Sequence, residues 1–205
     1  MIKNINDKIY IIEEYISKST SKFITQFFDK NLEDTPNYQI KGGPAIGPER
    51  GYITKCGNPI IKYTGNDEED LASDILTMIC LSMSDTISTF LNKKMDIKTM
   101  FYGVMLEGSE NKIHVDNYGD IDNEDSLRLN SKDDWSGLLY LNNDYEGGIL
   151  EFPREKFSIK PKTGTFIFFK GSHDLPHGVS KVEKGKRNTI VSFFWPAEYR
   201  GLELF

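Results

Sequence analysis

Four residues of this chain have the types and spacing to hold a metal ion and an anion together. His114 and Asp116 stand two apart in IHVDNY, His177 follows in LPHGV, and Arg187 comes ten residues later. On an extended strand, side chains at i and i+2 share a face, so His114 and Asp116 could grip one ion from adjacent positions. His177 would supply a third ligand. Two imidazoles and one carboxylate on one face of an octahedron leave three positions open, an arrangement suited to non-haem Fe(II) and oxygen chemistry. A closed structural zinc site would normally take four ligands that include Cys, and Cys56 and Cys80 have neither CxxC spacing nor a nearby His.

Arg187 opens RNTIVSFFW, in which Thr189, Val191 and Phe193 would share its face in a strand. A guanidinium at the mouth of an apolar barrel strand is costly unless an anion meets it. A dicarboxylic cosubstrate would do so through the planar fork of the guanidinium. The plainer alternative is that Arg187 finishes the basic turn EKGKR and points to water.

IHVDNY, then LLYLNNDYEGGILEFP, then GTFIFFKGSHDLPHGVSKVEKGKRNTIVSFFW together resemble the Fe(II)- and 2-oxoglutarate-dependent oxygenases, specifically the prolyl 4-hydroxylase-like branch, over residues 97 to 197. The resemblance implies an α+β, mainly β fold. Its core would be a double-stranded β-helix, a jelly-roll or cupin-like barrel, with supporting N-terminal helices and iron near one open end. By motif position it implies His114, Asp116 and His177 as iron ligands, and Arg187 as the partner of the distal carboxylate of 2-oxoglutarate. Tyr140, in YLN, matches a position that can add a hydroxyl donor to that carboxylate. His173 competes for the third ligand place, but the apolar strand and turn leading into His177, and its spacing to Arg187, favour His177. Relatives often carry a Tyr ahead of the first ligand His where Val104 and Met105 stand here, and nearby Tyr102 is the candidate to replace it.

The activity implied is a dioxygenase that hydroxylates a C–H bond with Fe(II), 2-oxoglutarate and O2, with ascorbate as a candidate further cofactor. A prolyl residue in a peptide or protein is the favoured substrate. Hydroxylation of a free amino acid or other small molecule, and a non-catalytic jelly-roll binding module, are the alternatives.

Composition bounds the rest. At 205 residues, with 38% hydrophobic and 12% aromatic content, the chain suits one domain of residues 1–205. Residues 1–96 would supply helices, a strand and a supporting loop, and 97–197 the metal-binding barrel. A net charge of −6 and a pI near 5.2 disfavour nucleic-acid binding. So does Phe193, which stands where demethylases of this group carry a second Arg. Two unpaired-looking Cys suggest a reducing compartment. With no signal-like N-terminus and no apolar run of membrane-spanning length, the expected setting is cytoplasmic and off the membrane.

Among the supporting elements, IYIIEEYI reads as a strand into a loop and SKSTSKFITQFFDKN as a helix with Phe23, Ile24, Phe27 and Phe28 on one stripe. Residues 34–66 carry turn signals and read as a loop or hairpin at the barrel mouth, with Arg50 and Tyr52 as candidate substrate contacts. From Asp67 to Lys94 a helix is expected, with Leu71, Ile75, Met78, Ile79 and Met83 as its core stripe. KTMFYGVML would be the strand leading to the metal motif. The acidic stretch 117–134 reads as a solvated loop or a lid.

Overall fold

Strands that are apolar without alternation must be covered on both faces. WSGLLY and FIFFK are such strands, buried along nearly their whole length. The architecture of the computed structural model follows from that need. It describes residues 2–32, 45–46, 49–54, 67–116, 134–172 and 175–199.

The elements, in chain order, begin with strands β1 (Ile2–Ile5) and β2 (Ile9–Ile12), helix α1 (Lys18–Leu32), and strands β3 (Ala45–Ile46) and β4 (Glu49–Thr54). Helix α2 (Asp67–Leu91) leads into β5 (Met95–Leu106), β6 (Glu110–His114) and β7 (Trp135–Tyr140). Then come β8 (Glu146–Gly147), β9 (Leu150–Phe152), β10 (Phe157–Ile159) and β11 (Phe166–Lys170). The last strands are β12 (His177–Val179), β13 (Val182–Lys184) and β14 (Lys186–Pro196).

Seven strands form the major sheet in the order β1-β2-β11-β7-β14-β5-β4, and five form the minor sheet in the order β10-β9-β12-β6-β3. Strands β8 and β13 make a separate pair. All pairings are antiparallel, as in a jelly roll. Strands from both sides of residue 97 share the major sheet, because β2 pairs with β11 in the register Ile11↔Ile167.

The inner face of the major sheet packs Ile9, Ile11, Met105, Leu138, Tyr140, Ile167 and Phe169 against Leu150, Phe152 and Val179 of the minor sheet. Its outer face carries Tyr10, Tyr102, Leu139, Phe166, Phe168 and Phe194, which the helices cover with Ile24, Phe28, Ile79, Met83 and Ile87. Each large apolar side chain so buried contributes about 1.5–3 kcal/mol.

Helix α1 falls where its stripe predicts. Its start is capped by Ser17, whose Oγ accepts the Thr20 backbone N–H at 3.0 Å. Helix α2 ends earlier than expected, at Leu91. Asn92 adopts φ +48°, a left-handed conformation that Asn tolerates and that stops a helix. The core stripe of α2 also differs from expectation. Ile79, Met83 and Ile87 are buried, while Leu71 and Met78 are 51% and 70% exposed. The i, i+4 spacing of the buried three sets the face that meets the sheet, and Met78 lies a third of a turn away from it. By length and composition Asp74–Leu91 could cross a membrane; its Met83 and Ile87 are fully buried against the sheet. Most of 34–66, with Cys56, lies outside the described residues, as do His173 and 117–133. For Arg50 and Tyr52 only the backbone, on β4 beside β5, is described.

Candidate metal centre and anion pocket

The minor sheet brings the two histidines together. His114 ends β6 and His177 begins β12, and the two are direct antiparallel partners with ring centroids 4.5 Å apart. Asp116 follows β6 and turns its carboxylate between them, Oδ1 at 3.4 Å from His114 Nε2 and Oδ2 at 3.3 Å from His177 Nε2. The three potential ligand atoms lie within 4.8 Å of one another. Adjacent ligands of a first-row metal, each about 2.0–2.2 Å from the ion, sit about 3 Å apart, so the set needs only small side-chain adjustments to close on one ion.

The outer nitrogens of both rings face backbone carbonyls. His114 Nδ1 lies 2.6 Å from Lys112 O and His177 Nδ1 lies 3.4 Å from Leu175 O. An Nδ1–H donating there leaves Nε2 with its lone pair toward the centre, the tautomer a metal requires. Asp116 is held from the opposite sheet, where Ser136 Oγ on β7 donates to its Oδ2 at 2.5 Å. Phe169 meets the His177 ring edge-on at 4.5 Å, and Phe152 lies 5.8 Å from it.

Electrostatics favour a charged cluster. Burial opposes the Asp116 carboxylate, but the His177 charge and hydrogen bonds from His114, His177 and Ser136 outweigh it and hold its pKa far below the carboxylate range. For His114, burial pulls the pKa down, yet the hydrogen bond and charge of Asp116 leave it raised above 6.5.

Arg187 does not point to water. It is 3% exposed, at the start of β14, and pairs with Met105 of β5. Its Nη2 donates to Tyr140 Oη at 2.9 Å and its Nη1 lies 3.3 Å from Met105 Sδ, while Nε makes no well-formed hydrogen bond among the described residues. Among the described residues no carboxylate pairs with this guanidinium. A buried, unneutralised cation with an orphaned donor is a site for an anion. Tyr140 and Ser136 lie four residues apart on the same inner face of β7, so the anion pocket and the histidine cluster open into one barrel interior.

Tyr102 does not join them. It pairs with Ile190, one residue out of phase with Arg187, so its side chain leaves the sheet on the outer face and stacks on Phe28 with centroids 4.2 Å apart. The expectation that Tyr102 reaches the cosubstrate is therefore corrected. The residue that sequence reading missed is Tyr145, whose hydroxyl lies against Arg187 on the inner side. The signal was present in YLNNDYEGG, where Tyr145 follows Tyr140 closely and precedes two glycines.

Residues 99–195 match the model of the 2OG-Fe(II) oxygenase superfamily. A 66-residue stretch is 44% identical to human prolyl 3-hydroxylase 2, covering 30% of this chain but only 9% of that protein. Among solved structures the chain is similar to the viral collagen prolyl hydroxylase of Paramecium Bursaria Chlorella virus-1 in complex with 2OG, with a TM-score of 0.62 and 17% identity over 92% of this chain and 96% of that one. It is also similar to a Trichoplax adhaerens prolyl hydroxylase in complex with a hypoxia inducible factor peptide fragment, with a TM-score of 0.65 and 16% identity over 98% and 89% of the two chains. These structural likenesses bear on the fold, which is the double-stranded β-helix that the motifs implied.

Proposed function

Because residues 99–195 match the 2OG-Fe(II) oxygenase superfamily and the site beneath them fits it, we propose that the chain is a 2-oxoglutarate-dependent dioxygenase that hydroxylates a prolyl residue in a peptide or protein. The single observation that carries the reading is a His-Asp-His cluster sharing one barrel interior with a buried arginine that has no carboxylate partner among the described residues.

His114, Asp116 and His177 would hold Fe(II) through Nε2, a carboxylate oxygen and Nε2. When bound, iron and 2-oxoglutarate supply the oxidation of a C–H bond by dioxygen, with 2-oxoglutarate leaving as succinate and carbon dioxide. The chain's own work is positioning and exclusion. Arg187 and Tyr140 fix the distal carboxylate by charge-assisted hydrogen bonds and so set how far the cosubstrate reaches toward the cluster. Ser136 and the carbonyls of Lys112 and Leu175 orient the three ligands before a metal arrives. Phe152 and Phe169 wall His177 from water, which protects a reactive site from side reactions.

The substrate class rests on the prolyl hydroxylases that the chain resembles. The human relative carries 3-hydroxylase in its name, whereas the motif order resembles the prolyl 4-hydroxylase-like branch, so the proposal names the ring and not the carbon. A cytoplasmic setting is part of the proposal and rests on the number and spacing of the cysteines in the sequence. The test is incubation of the Fe(II)-loaded protein with 2-oxoglutarate, oxygen and a library of proline-containing peptides. The expected result is peptide-stimulated succinate and a hydroxyproline in the product by mass spectrometry. Succinate that no peptide stimulates would remove the prolyl substrate and leave a small molecule in its place.

A further inference from the structure

Tyr145 is 2% exposed, yet among the described residues its hydroxyl makes no well-formed hydrogen bond. A buried tyrosine hydroxyl normally finds a partner, because leaving it without one forfeits its hydration for nothing. A phenylalanine here would bury the same ring without that cost. The hydroxyl oxygen faces the Arg187 guanidinium closely enough to feel its charge and to accept weakly from it, which leaves the hydroxyl proton unused, and the buried Arg187 Nε has no well-formed hydrogen bond among the described residues.

The ring is held firmly. Gly148, at φ +60°, leaves the space it needs: a Cβ there would stand 2.9 Å from Tyr145 Cε2 and 3.3 Å from Arg187 Cδ. Lys160 Nζ sits 4.7 Å from the ring centre and donates to the Tyr145 carbonyl. Tyr145 and Arg187 thus press against the same bare glycine, each with an unused donor.

We propose that Tyr145 is a second tyrosine donor to the distal carboxylate of the 2-oxo acid cosubstrate, completing with Tyr140 and Arg187 a three-sided clamp that selects a dicarboxylate over a monocarboxylate. This rests on the function proposed above and adds a specificity residue to it. Burial pushes the Tyr145 hydroxyl up to about 12, against the pull of Arg187, so it stays protonated and able to donate.

The test is calorimetric titration, under anaerobic conditions, of 2-oxoglutarate and of 2-oxobutanoate into the Fe(II)-loaded wild type and Tyr145→Phe, with ligand-free melting temperatures measured alongside. Tyr145→Phe is expected to weaken 2-oxoglutarate binding about tenfold, the loss of one hydrogen bond to a charged group, while 2-oxobutanoate affinity and the melting temperature hold. Unchanged 2-oxoglutarate affinity, or equal weakening of both ligands, overturns the clamp while leaving the proposed function standing. A wild type that binds neither acid overturns that function and the clamp with it.

Discussion

Ser136 Oγ donates a 2.5 Å hydrogen bond to Asp116 Oδ2, tying the inner face of the major sheet to the loop that follows β6 of the minor sheet. The serine is buried, and its bond leaves Asp116 Oδ1 toward His114. The carboxylate is therefore oriented from across the barrel as well as by His114 at the end of β6.

Ser136→Ala removes that tie without touching a proposed ligand. It is expected to lower Fe(II) affinity about tenfold, the usual cost of losing a group that orients a ligand, while the fold persists. Metal titration followed by histidine NMR shifts would measure it.

Arg187→Met separates binding from stability. The variant is expected to lose 2-oxoglutarate binding altogether. Without ligand it should be more stable than the wild type by about 1 kcal/mol or more, because an apolar side chain of similar length relieves a buried, unneutralised charge. Denaturant melts with and without 2-oxoglutarate test both halves. A destabilised ligand-free variant would mean that the guanidinium has a partner outside the described residues.

Tyr102→Phe should leave 2-oxoglutarate affinity unchanged. The Tyr102 hydroxyl is on the outer face, beside Thr25 and Asp29 of α1 and away from the Arg187 pocket. A weakened affinity equal to that of Tyr140→Phe would contradict the strand register.

The contrast between Tyr102 and Tyr145 shows what the chain discloses before folding. Motif order pointed to the barrel, and the apolar runs of β7 and β11 foretold strands covered on both faces, because both features are local in sequence. Which face a residue takes is different, since a shift of one position reverses it. Tyr102 looked adjacent to the site by count and lies behind the sheet by register. Tyr145 becomes visible only when the turn after β7 folds back over Gly148 to meet β14. The exposure of Met78 has the same origin: several faces of α2 are apolar, and only the sheet decides which one is buried.

Metal-free stability should depend on pH through the cluster. The depressed Asp116 pKa contributes stability that is present above its ordinary value of 3.8 and lost as pH falls. The raised His114 pKa contributes stability that is full below its ordinary value of 6.5 and lost as pH rises through the folded value. The difference in melting temperature between the wild type and Asp116→Ala, without metal, is therefore expected to peak between those values and shrink on either side. A difference independent of pH would contradict the charged cluster.

The most direct measurement is succinate formation from 2-oxoglutarate under oxygen by the Fe(II)-loaded wild type beside Asp116→Ala. Wild-type turnover that the variant abolishes is the expected result. No succinate from the wild type, or wild-type turnover in the variant, would contradict an iron-dependent oxygenase built on His114, Asp116 and His177.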